Sequence, residues 1–457
     1  MTSVTAPTTP APLPVVGGRY RPVLAMRRNL VGYVEDVWRR RGDVVRTVLG
    51  PPGFDREVWL LGHPDAAARV LSGSSAASFV KRDPVYTETG YWLGHGILTA
   101  EGEEWTRQKR FVQPVFTKQA VDGYADLMGE EIAAVVAEQD ATGEDVVDLG
   151  AWMQRLTLRV VVRALFGAAE EDVVARVRRS FPVVADTVVR RGVGVLRLPP
   201  TVPTPRVVRG RRGRSELFGV CEEIIAARRA SGATGGTDLL SRLLAARDGD
   251  AGLTDAEVRD QVLVFLLAGH ETTATALTFA LHLLGRHREV QDAVRAEARG
   301  ALAVERPASA VAADLPMTRA VVEETMRLYP SAPFTSRLVV RDDTVMGHPV
   351  RPGVTVVLAP WNIHRHPEFW TDPLVFDPSR FAPGVPRRHR YAWMPFGGGP
   401  RACIGQHFAL VEAVLALAHV LRERRVTSLL ETDHVPVDSL ITLFPTVPVR
   451  ARLQRRP

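Results

Sequence analysis

The chain has 457 residues, of which 46% are hydrophobic and 24% charged, a composition that argues against disorder and allows a large buried core. A net charge of +7 is too mild for this length to indicate nucleic-acid binding, although it allows a local basic patch for an acidic partner. The two cysteines, Cys221 and Cys403, do not suggest a disulfide framework and fit a reducing compartment such as the cytoplasm.

The first residues differ in composition from the rest. Residues 1–18 are rich in Thr, Ala and Pro and lack both a basic leader and an apolar run, which predicts a flexible arm rather than a signal peptide. No segment reaches roughly 18 uninterrupted apolar residues, so no membrane span is predicted. Because no internal repeat or linker follows, residues 19–457 are predicted to form one catalytic domain.

Helical patterns dominate after one predicted β-hairpin. The hairpin joins residues 44–48 to 57–61 through a Gly-Pro-Pro-Gly turn. Apolar residues at three- and four-residue spacing predict helices at 120–138, 149–165 and 215–230. Cys221 falls in the last of these and is interpreted as an inert packed thiol. Four prolines predict a loop at 198–205.

The second half centres on one long helix. Thr254 and Glu257 form a capping box before a helix predicted to end at Gly285, and its apolar residues lie on nearly every face, so it should be buried. Further predictions are helices at 317–329 and 404–422, short strands at 338–340 and 354–359, and a long coil at 369–399. The predicted fold class is therefore mainly α with a minor β part.

The strongest motif runs from Phe396 to Gly405 and holds four glycines in ten residues. Three consecutive glycines allow a tight bend and the close approach of a flat ligand. Cys403 stands at the start of the last helix, where backbone N–H groups favour an anion and lower a thiol's pKa. Arg401 offers a cation for an acidic group of the same ligand. These residues predict a thiolate ligand site.

The sequence of this loop allows two other interpretations. A buried cysteine is usually only a small hydrophobic residue, but that interpretation leaves the glycines and Arg401 unexplained. The spacing Gly397-x-Gly399-x-x-Ala402 loosely matches a dinucleotide-binding loop. That match fails on context, because no strand leads into it and Pro400 removes a backbone N–H.

The pattern aromatic-x-x-Gly-x-Arg-x-Cys-x-Gly resembles the haem-binding loop of the cytochrome P450 family, with every signature position filled. The resemblance extends from about Pro14 to the C-terminus. It implies haem b between the long central helix and the cysteine loop, with Cys403 as the axial iron ligand. It also implies O₂ as co-substrate and electrons from NAD(P)H.

Residues 268–273 interrupt the apolar central helix with polar groups. Taken alone, they are explained as a structural polar kink. They are similar to the family's small-Gly-x-acid-Thr motif, which implies that Thr272 hydrogen-bonds the oxygen and Glu271 supplies protons. A buried carboxyl with a raised pKa would suit that role.

Further residues occupy positions that resemble functional positions of the cytochrome P450 family. The resemblance assigns haem contacts to Trp105, Lys109, Arg337, Phe396, Arg401 and Gly405, although Lys109 stands where Arg is commoner. It assigns Glu324, Arg327 and Arg380 to folding and haem retention, with Ser379 replacing the usual acid. The predicted substrate pocket is mostly apolar and consists of Trp92, Leu98, Phe265, Ala268, Phe334, Thr335 and Leu443.

The implied activity is insertion of one oxygen atom into a hydrophobic molecule such as a terpene, fatty acyl chain or polyketide, in secondary metabolism. The alternatives are a peroxide-driven or isomerising enzyme of the same fold and a non-catalytic haem sensor. No flavin or iron–sulfur module follows Cys403, so a separate ferredoxin or flavodoxin and its reductase are expected. The predicted docking face comprises Arg107, Lys109, Arg110, Arg387, Arg388 and Arg390. His364 and His366 are a weak signal for a metal site.

Overall fold

The structure is a computed structural model that describes residues 13–455 except 19, 54, 168–170, 195–197, 231–235, 237, 247–251 and 387. Most of the predicted N-terminal arm therefore lies outside the described residues. Its last part is ordered by pairing, because Val15–Val16 forms a strand parallel to residues 46–47. The predicted flexibility is wrong for these two residues.

Short strands make up the smaller part of the fold. They are β1 (Val15–Val16), β2 (Val44–Leu49), β3 (Arg56–Leu61), β4 (Phe79–Val80), β5 (Val146–Asp148), β6 (Thr335–Val339), β7 (Asp343–Val345), β8 (His348–Val350), β9 (Thr355–Leu358), β10 (Arg424–Ser428), β11 (Val437–Ser439), β12 (Leu443–Pro445) and β13 (Arg450–Arg455). The largest sheet has the order β1-β2-β3-β9-β6-β4, and the predicted hairpin is its antiparallel β2–β3 pair. A three-stranded sheet, β10-β13-β5, and the pairs β11–β12 and β7–β8 complete the β part.

Helices form the larger part. They are α1 (Arg21–Arg28), α2 (Leu30–Arg41), α3 (Pro64–Leu71), α4 (Pro84–Leu93), α5 (Gly102–Val112), α6 (Lys118–Asp122), α7 (Ala125–Ala141), α8 (Leu149–Phe166), α9 (Glu171–Gly192), α10 (Pro205–Ala230), α11 (Leu239–Ala245), α12 (Asp255–Leu284), α13 (Arg288–Ala301), α14 (Ala308–Ala313), α15 (Pro316–Leu328), α16 (Pro360–Ile363) and α17 (Gln406–Leu421). The mainly α fold class is confirmed.

The central helix α12 organises the helical core. Its N-terminus carries the predicted capping box, in which the Thr254 side chain accepts from the backbone N–H of Glu257 while the Glu257 carboxylate accepts from Thr254 N. It packs against α8, α10, α15 and α17, so apolar residues on all its faces are buried, as predicted. In length and hydropathy it alone among the described helices could cross a membrane, but its most apolar stretch is 72% buried inside the protein.

Several predicted boundaries differ from the structure. The helix predicted at 120–138 is broken into α6 and α7, because the chain turns at Gly123 and Tyr124, whose amides bond back to residues 119 and 121. The helix predicted at 215–230 begins ten residues earlier, the strand predicted at 338–340 spans 335–339, and the last helix begins at residue 406 rather than 404.

The long coil predicted at 369–399 is confirmed. Its described residues form no α-helix or strand and include 3₁₀ turns at Pro378–Phe381 and Gly399–Arg401. It runs from the sheet to the cysteine loop.

Candidate active site

One large cavity of about 860 Å³ lies between α12, the start of α17 and the loop that carries Cys403. Its α12 wall consists of Val264, Phe265, Ala268, Gly269 and Thr272. The whole ten-residue cysteine motif borders the opposite side. The predicted arrangement of a long helix facing the cysteine loop is therefore present.

Close packing explains the glycines of the cysteine loop. Gly397 and Gly399 have φ values of 69° and 66°, a conformation that side chains disfavour. A Cβ on Gly399 would lie 1.7 Å from the carbonyl oxygen of Leu71, and one on Gly398 would lie 2.4 Å from the Tyr391 ring. The loop closes on itself through Cys403 N–H, which donates to Phe396 O at 2.8 Å.

Cys403 presents its thiol to this cavity. Burial raises the pKa of the Cys403 thiol, opposed by the backbone N–H of Gly405 and the charge of Lys81. The sequence predicted a lowered pKa, but α17 begins three residues later, so the thiol does not occupy the end of the helix dipole. A metal ion that binds the sulfur deprotonates it outright, so the raised pKa is compatible with a ligand role.

Three predicted haem-contact residues meet beside this loop. The guanidinium carbon of Arg401 lies 4.1 Å from the centre of the Trp105 ring, and Lys109 Nζ lies 4.8 Å from it. Lys109 Nζ also donates to Pro400 O at 3.2 Å. Arg401 Nη2 pairs with Glu101 at 2.6 Å, and burial lowers the Arg401 pKa to about 10, which leaves it charged at neutral pH. All three border the cavity.

A fourth predicted residue and an unpredicted lysine enlarge this positive region. Arg337 on β6 is buried, and its Nη1 donates to Ser336 O at 2.7 Å. Lys81 is 9% exposed and borders the same cavity, and burial lowers its pKa. Lys81 follows the two-residue strand β4 and precedes Arg82 and Asp83, and this mixed sequence context carries no motif that could have identified it.

The donor set fits haem. A single thiol faces an apolar cavity, and the cations Lys81, Lys109, Arg337 and Arg401 border it. Iron accepts a thiolate as axial ligand, and the two propionates of haem require cations. The glycines leave room for a flat ring beside the loop backbone. Phe396 and Gly405 also border the cavity, as predicted.

The two predicted catalytic residues differ in their surroundings. Thr272 borders the cavity, and its hydroxyl donates to Ala268 O at 2.7 Å. The Glu271 carboxylate lies outside the residues that border the cavity and accepts from the Thr442 hydroxyl at 2.7 Å. Burial raises the pKa of Glu271, opposed by that hydrogen bond. Thr442 borders the cavity itself, so it connects Glu271 to it.

Five of the seven residues predicted for the substrate pocket border the cavity. The residues that border the cavity as predicted are Leu98, Phe265, Ala268, Phe334 and Thr335. Trp92 does not, since it is fully buried and its indole N–H donates to Glu88. Leu443 is also fully buried, with its carbonyl accepting from Thr275. The C-terminal turn instead contributes Leu440, Ile441 and Thr442.

The predicted structural triad is assembled outside the cavity. Glu324 and Arg327 are both fully buried and form two hydrogen bonds, at 2.7 and 2.8 Å. Arg380 Nε lies 3.5 Å from Glu324, and Asp377 N–H donates to the same oxygen at 2.9 Å. Arg327 also donates to the carbonyls of residues 364, 373 and 375. These bonds attach α15 to the coil that leads to the cysteine loop.

The two histidines of the His-x-His motif point to different partners. His364 Nε2 accepts from the backbone N–H of Met394 at 2.8 Å, and burial lowers the His364 pKa to about 3. His364 is therefore a neutral structural residue, which holds the coil at Met394, just before the cysteine loop.

His366 instead lies beside His63 and Asp43, with potential ligand atoms within 4.8 Å of one another. Its Nδ1 accepts from Glu368 N–H, and His63 Nδ1 accepts from Asp65 N–H. Because Nδ1 accepts in both rings, the ring proton lies on Nε2; a metal bound at Nε2 would leave the proton on Nδ1, facing these backbone N–H donors. The hydrogen bonds therefore disfavour a metal site here.

The predicted basic face is smaller than expected. Arg107 pairs with Glu257, and Lys109 contacts Trp105 at the cavity. Arg388 is half-buried, with its guanidinium carbon 4.5 Å from the centre of the Trp370 ring. These three side chains are therefore occupied by intramolecular contacts.

The other two described members of that face, Arg110 and Arg390, are exposed and also interact within the protein. The guanidinium carbon of Arg390 lies 5.6 Å from the centre of the Tyr391 ring, which packs against Gly398 of the cysteine loop. Arg387 lies outside the described residues.

Comparisons with known proteins agree with this geometry. A family model described as Cytochrome P450 matches residues 7–453. Pentalenene oxygenase from Streptomyces avermitilis is 33% identical and covers 99% of this chain and 98% of its own. Cyclooctat-9-en-7-ol 5-monooxygenase from Streptomyces melanosporofaciens is 32% identical over 87% of each chain. The crystal structure of the cytochrome P450DA heme domain superposes with a TM-score of 0.83 at 26% identity, covering 98% of both chains.

Proposed function

The chain belongs to the cytochrome P450 family, and from that premise we propose that Cys403 ligates the haem iron and that the substrate is a cyclic terpene. The activity is that of a haem-dependent monooxygenase, which inserts one oxygen atom from O₂ into a hydrophobic molecule. Its electrons come from NAD(P)H through redox proteins. Bound haem supplies the activation of O₂, and the protein supplies ligation, orientation and protons.

One observation carries the assignment of the site. A single thiol and five buried or half-buried cations, the four named above and Arg56, border the same apolar cavity as the polar interruption of α12. In this arrangement Cys403 would hold the iron, while Arg337, Arg401, Lys109 and Lys81 would neutralise the propionates. Glu101 pairs with Arg401 and Asp83 also borders the cavity, but the cations outnumber these two carboxylates, and a buried excess of positive charge favours a ligand of opposite charge.

The protein's own groups define a proton route. Glu271 keeps a proton to a higher pH than an exposed carboxyl, because burial raises its pKa. Its partner Thr442 borders the cavity, and so does Thr272, whose hydroxyl is held toward Ala268 O. Protons would therefore pass from Glu271 by way of Thr442 to the side of the cavity where Thr272 lies.

The substrate class follows from the lining and the relatives. Apart from the haem-facing cations, the residues around Phe265, Phe334 and Ile441 are largely apolar and would recognise a molecule by shape. Two relatives are named for action on pentalenene and cyclooctat-9-en-7-ol, which are cyclic terpenes. A cyclic hydrocarbon of secondary metabolism agrees with both.

The electron donor is proposed to be an acidic ferredoxin or flavodoxin, acting with its reductase in the cytoplasm. The exposed cation Arg390, whose guanidinium carbon lies 5.6 Å from the Tyr391 ring packed against the cysteine loop, would attract such a partner.

The test is spectroscopic. The purified ferric protein should show a saturable low-to-high-spin shift with pentalenene and none with fatty acids or macrolides. A shift with only a fatty acid or macrolide would overturn the terpene assignment. The reduced protein with carbon monoxide should show the absorption band of thiolate-bound haem, which Cys403→His should abolish and the control Cys221→Ser should retain. Retention of that band in Cys403→His would disprove the ligand assignment.

A further inference from the structure

Residues 94–98 form a wall of the cavity that is unusually well anchored. This segment follows α4 and contributes Ile97 and Leu98 to the lining. His95 N–H donates to Asp260 Oδ2 at 2.7 Å, and Ile97 N–H donates to Gln261 Oε1 at 2.9 Å. Both acceptors belong to adjacent positions on α12.

Gln261 and Gln108 connect this wall to two helices at once. Both side chains are fully buried, and Gln261 Nε2 donates to Gln108 Oε1 at 2.7 Å. Gln108 Nε2 in turn donates to His95 O at 2.9 Å. A buried amide that lost one of these bonds would leave another polar group unsatisfied, so the chain from Ile97 through both glutamines to His95 acts as a unit.

Glycines allow the wall to approach α12 closely. A Cβ on Gly96 would lie 2.9 Å from Asp260 O and 3.0 Å from Val264, a residue of the cavity wall. A Cβ on Gly94, whose φ is +88°, would lie 2.4 Å from the Asp260 carboxyl carbon. The segment is therefore in direct contact with the helix turn that precedes Phe265.

We propose that Gln261, acting with Gln108, is a positioning residue that fixes residues 95–98 as a rigid wall and thereby determines which shapes of ligand the cavity accepts. The inference rests on the proposed function, since it concerns ligands of the same haem cavity. Neither glutamine borders the cavity within the described part of the chain, so each acts through Ile97 and Leu98.

The rigidity of this wall matters because the proposed ligand is a hydrocarbon. A hydrocarbon offers no polar handle, so its orientation is selected by the shape and rigidity of the walls. A segment held only by apolar contacts could adjust to several orientations of the ligand. The directional hydrogen bonds of the two glutamines restrict residues 95–98 to one position.

The experiment compares isomers that place a phenyl ring at different positions on imidazole; their intrinsic differences in basicity and iron binding are the same for every variant and cancel when variants are compared with the wild type. The dissociation constants of 1-, 2- and 4-phenylimidazole are measured by haem spectral titration in the holoenzyme. We expect Gln261→Leu and Gln108→Leu to narrow the spread of these constants by about tenfold, a change equivalent to ~1.4 kcal/mol in relative binding. Hydrogen exchange at the His95 and Ile97 amides should accelerate in the same variants without any ligand.

Gln291→Leu is the matched control. Gln291 is 2% exposed and makes three backbone hydrogen bonds, two to Val426 and one to Leu284, yet it does not border the cavity. It should lower thermal stability without changing the isomer spread. Gln261→Glu keeps an acceptor for Ile97 N–H but loses the donor to Gln108 Oε1, so it should narrow the spread less than Gln261→Leu does, and it serves if that variant fails to fold.

Three results would overturn the proposal: a less than about twofold spread in the wild type, an unchanged spread in both leucine variants, or an equal narrowing in Gln291→Leu. Failure of the proposed function would give a different result: the reduced wild-type protein with carbon monoxide would not show the absorption band of thiolate-bound haem.

Discussion

Thr272 and Thr278 make the same local hydrogen bond on α12 in different surroundings. Each hydroxyl donates to the carbonyl four residues earlier, at 2.7 Å in both cases. Thr272 borders the cavity, whereas Thr278 is buried in the helical core. A hydroxyl bonded back to the preceding turn contributes little to helix stability in itself. A difference between alanine variants at these positions would therefore report the role of the cavity.

We expect Thr272→Ala to uncouple electron consumption from product formation, because the proton route would lose its hydroxyl at the cavity. The amount of product formed per NAD(P)H oxidised should fall by about tenfold. Thr278→Ala, the matched control, should remain coupled. Fully coupled turnover by Thr272→Ala would show that this hydroxyl has no part in proton delivery.

Glu412 on α17 is a second buried carboxyl with a perturbed pKa. Both of its oxygens are inaccessible to solvent, and burial raises the pKa of Glu412 well above its usual value. The folded protein therefore holds this proton more tightly than the unfolded chain does. Between the unfolded and the folded pKa, the folded state binds more protons, so the free energy of unfolding falls as pH rises.

Glu412→Gln should remove that dependence, because an amide does not titrate. As pH rises from about 5 to 8, the free energy of unfolding of the variant should increase relative to that of the wild type, by up to ~1.4 kcal/mol per pH unit. Denaturant titrations at several pH values measure this. Glu423→Gln, at an exposed site, is the control and should follow the wild type. Parallel pH curves for Glu412→Gln and the wild type would contradict a buried neutral acid.

The residues that sequence analysis placed correctly at the cavity lie in segments with fixed spacing. Cys403 and Arg401 belong to a loop whose glycines determine its path, so their position followed from the motif. Trp92 was misplaced because side chains one residue apart on a helix differ by about 100° in direction, and its neighbour Leu93 faces the cavity instead. Leu443 was misplaced because it begins strand β12 and is buried in the core, whereas the turn immediately before it borders the cavity.

At the scale of elements, α15 carries two ion pairs of different character. Glu324 and Arg327 are fully buried and attach the helix to the coil before the cysteine loop. Arg319 and Glu323 form a 3.0 Å pair in which the Arg319 side chain is 51% exposed. The same helix therefore provides a buried pair and an exposed control.

We expect Arg327→Ala to lower the free energy of unfolding by about 3–5 kcal/mol, since it leaves the Glu324 carboxylate buried without its partner. The purified variant should also contain less haem, because the coil that leads to Cys403 loses its attachment. Arg319→Ala should change stability by less than about 1 kcal/mol. Denaturant unfolding and the haem-to-protein ratio test both. Equal effects of the two substitutions would exclude a special role for the buried pair.

Some helices were predicted from their caps and apolar residues, and others were missed. The capping box and the apolar faces of α12 fixed that helix from sequence. By contrast, α9 went unrecognised because Pro182 lies inside it, and proline in the middle of a pattern normally indicates a helix end. Packing against α10 and α4 keeps the helix continuous, and such long-range contacts leave no local signature.

At the scale of the whole molecule, the excess positive charge bears on partner binding only where it is exposed. The net charge is +7 over 457 residues, and several arginines of the predicted face are occupied by contacts within the protein. Arg390 is exposed and adjoins Tyr391, which packs against the cysteine loop. An acidic electron donor that docks at this loop would pass close to Arg390.

We therefore expect Arg390→Glu to slow reduction of the ferric protein by an acidic [2Fe–2S] ferredoxin about threefold at low ionic strength. The difference should shrink as salt rises toward about 0.5 M, because exposed charges are screened beyond a few ångströms there. Arg212→Glu makes the same change in net charge on α10, which packs on α9, α12 and α4, and should leave the rate near that of the wild type. Stopped-flow reduction under carbon monoxide measures the rate. If the two reversals slowed reduction equally, the effect would belong to overall charge, and the docking face beside the cysteine loop would be wrong.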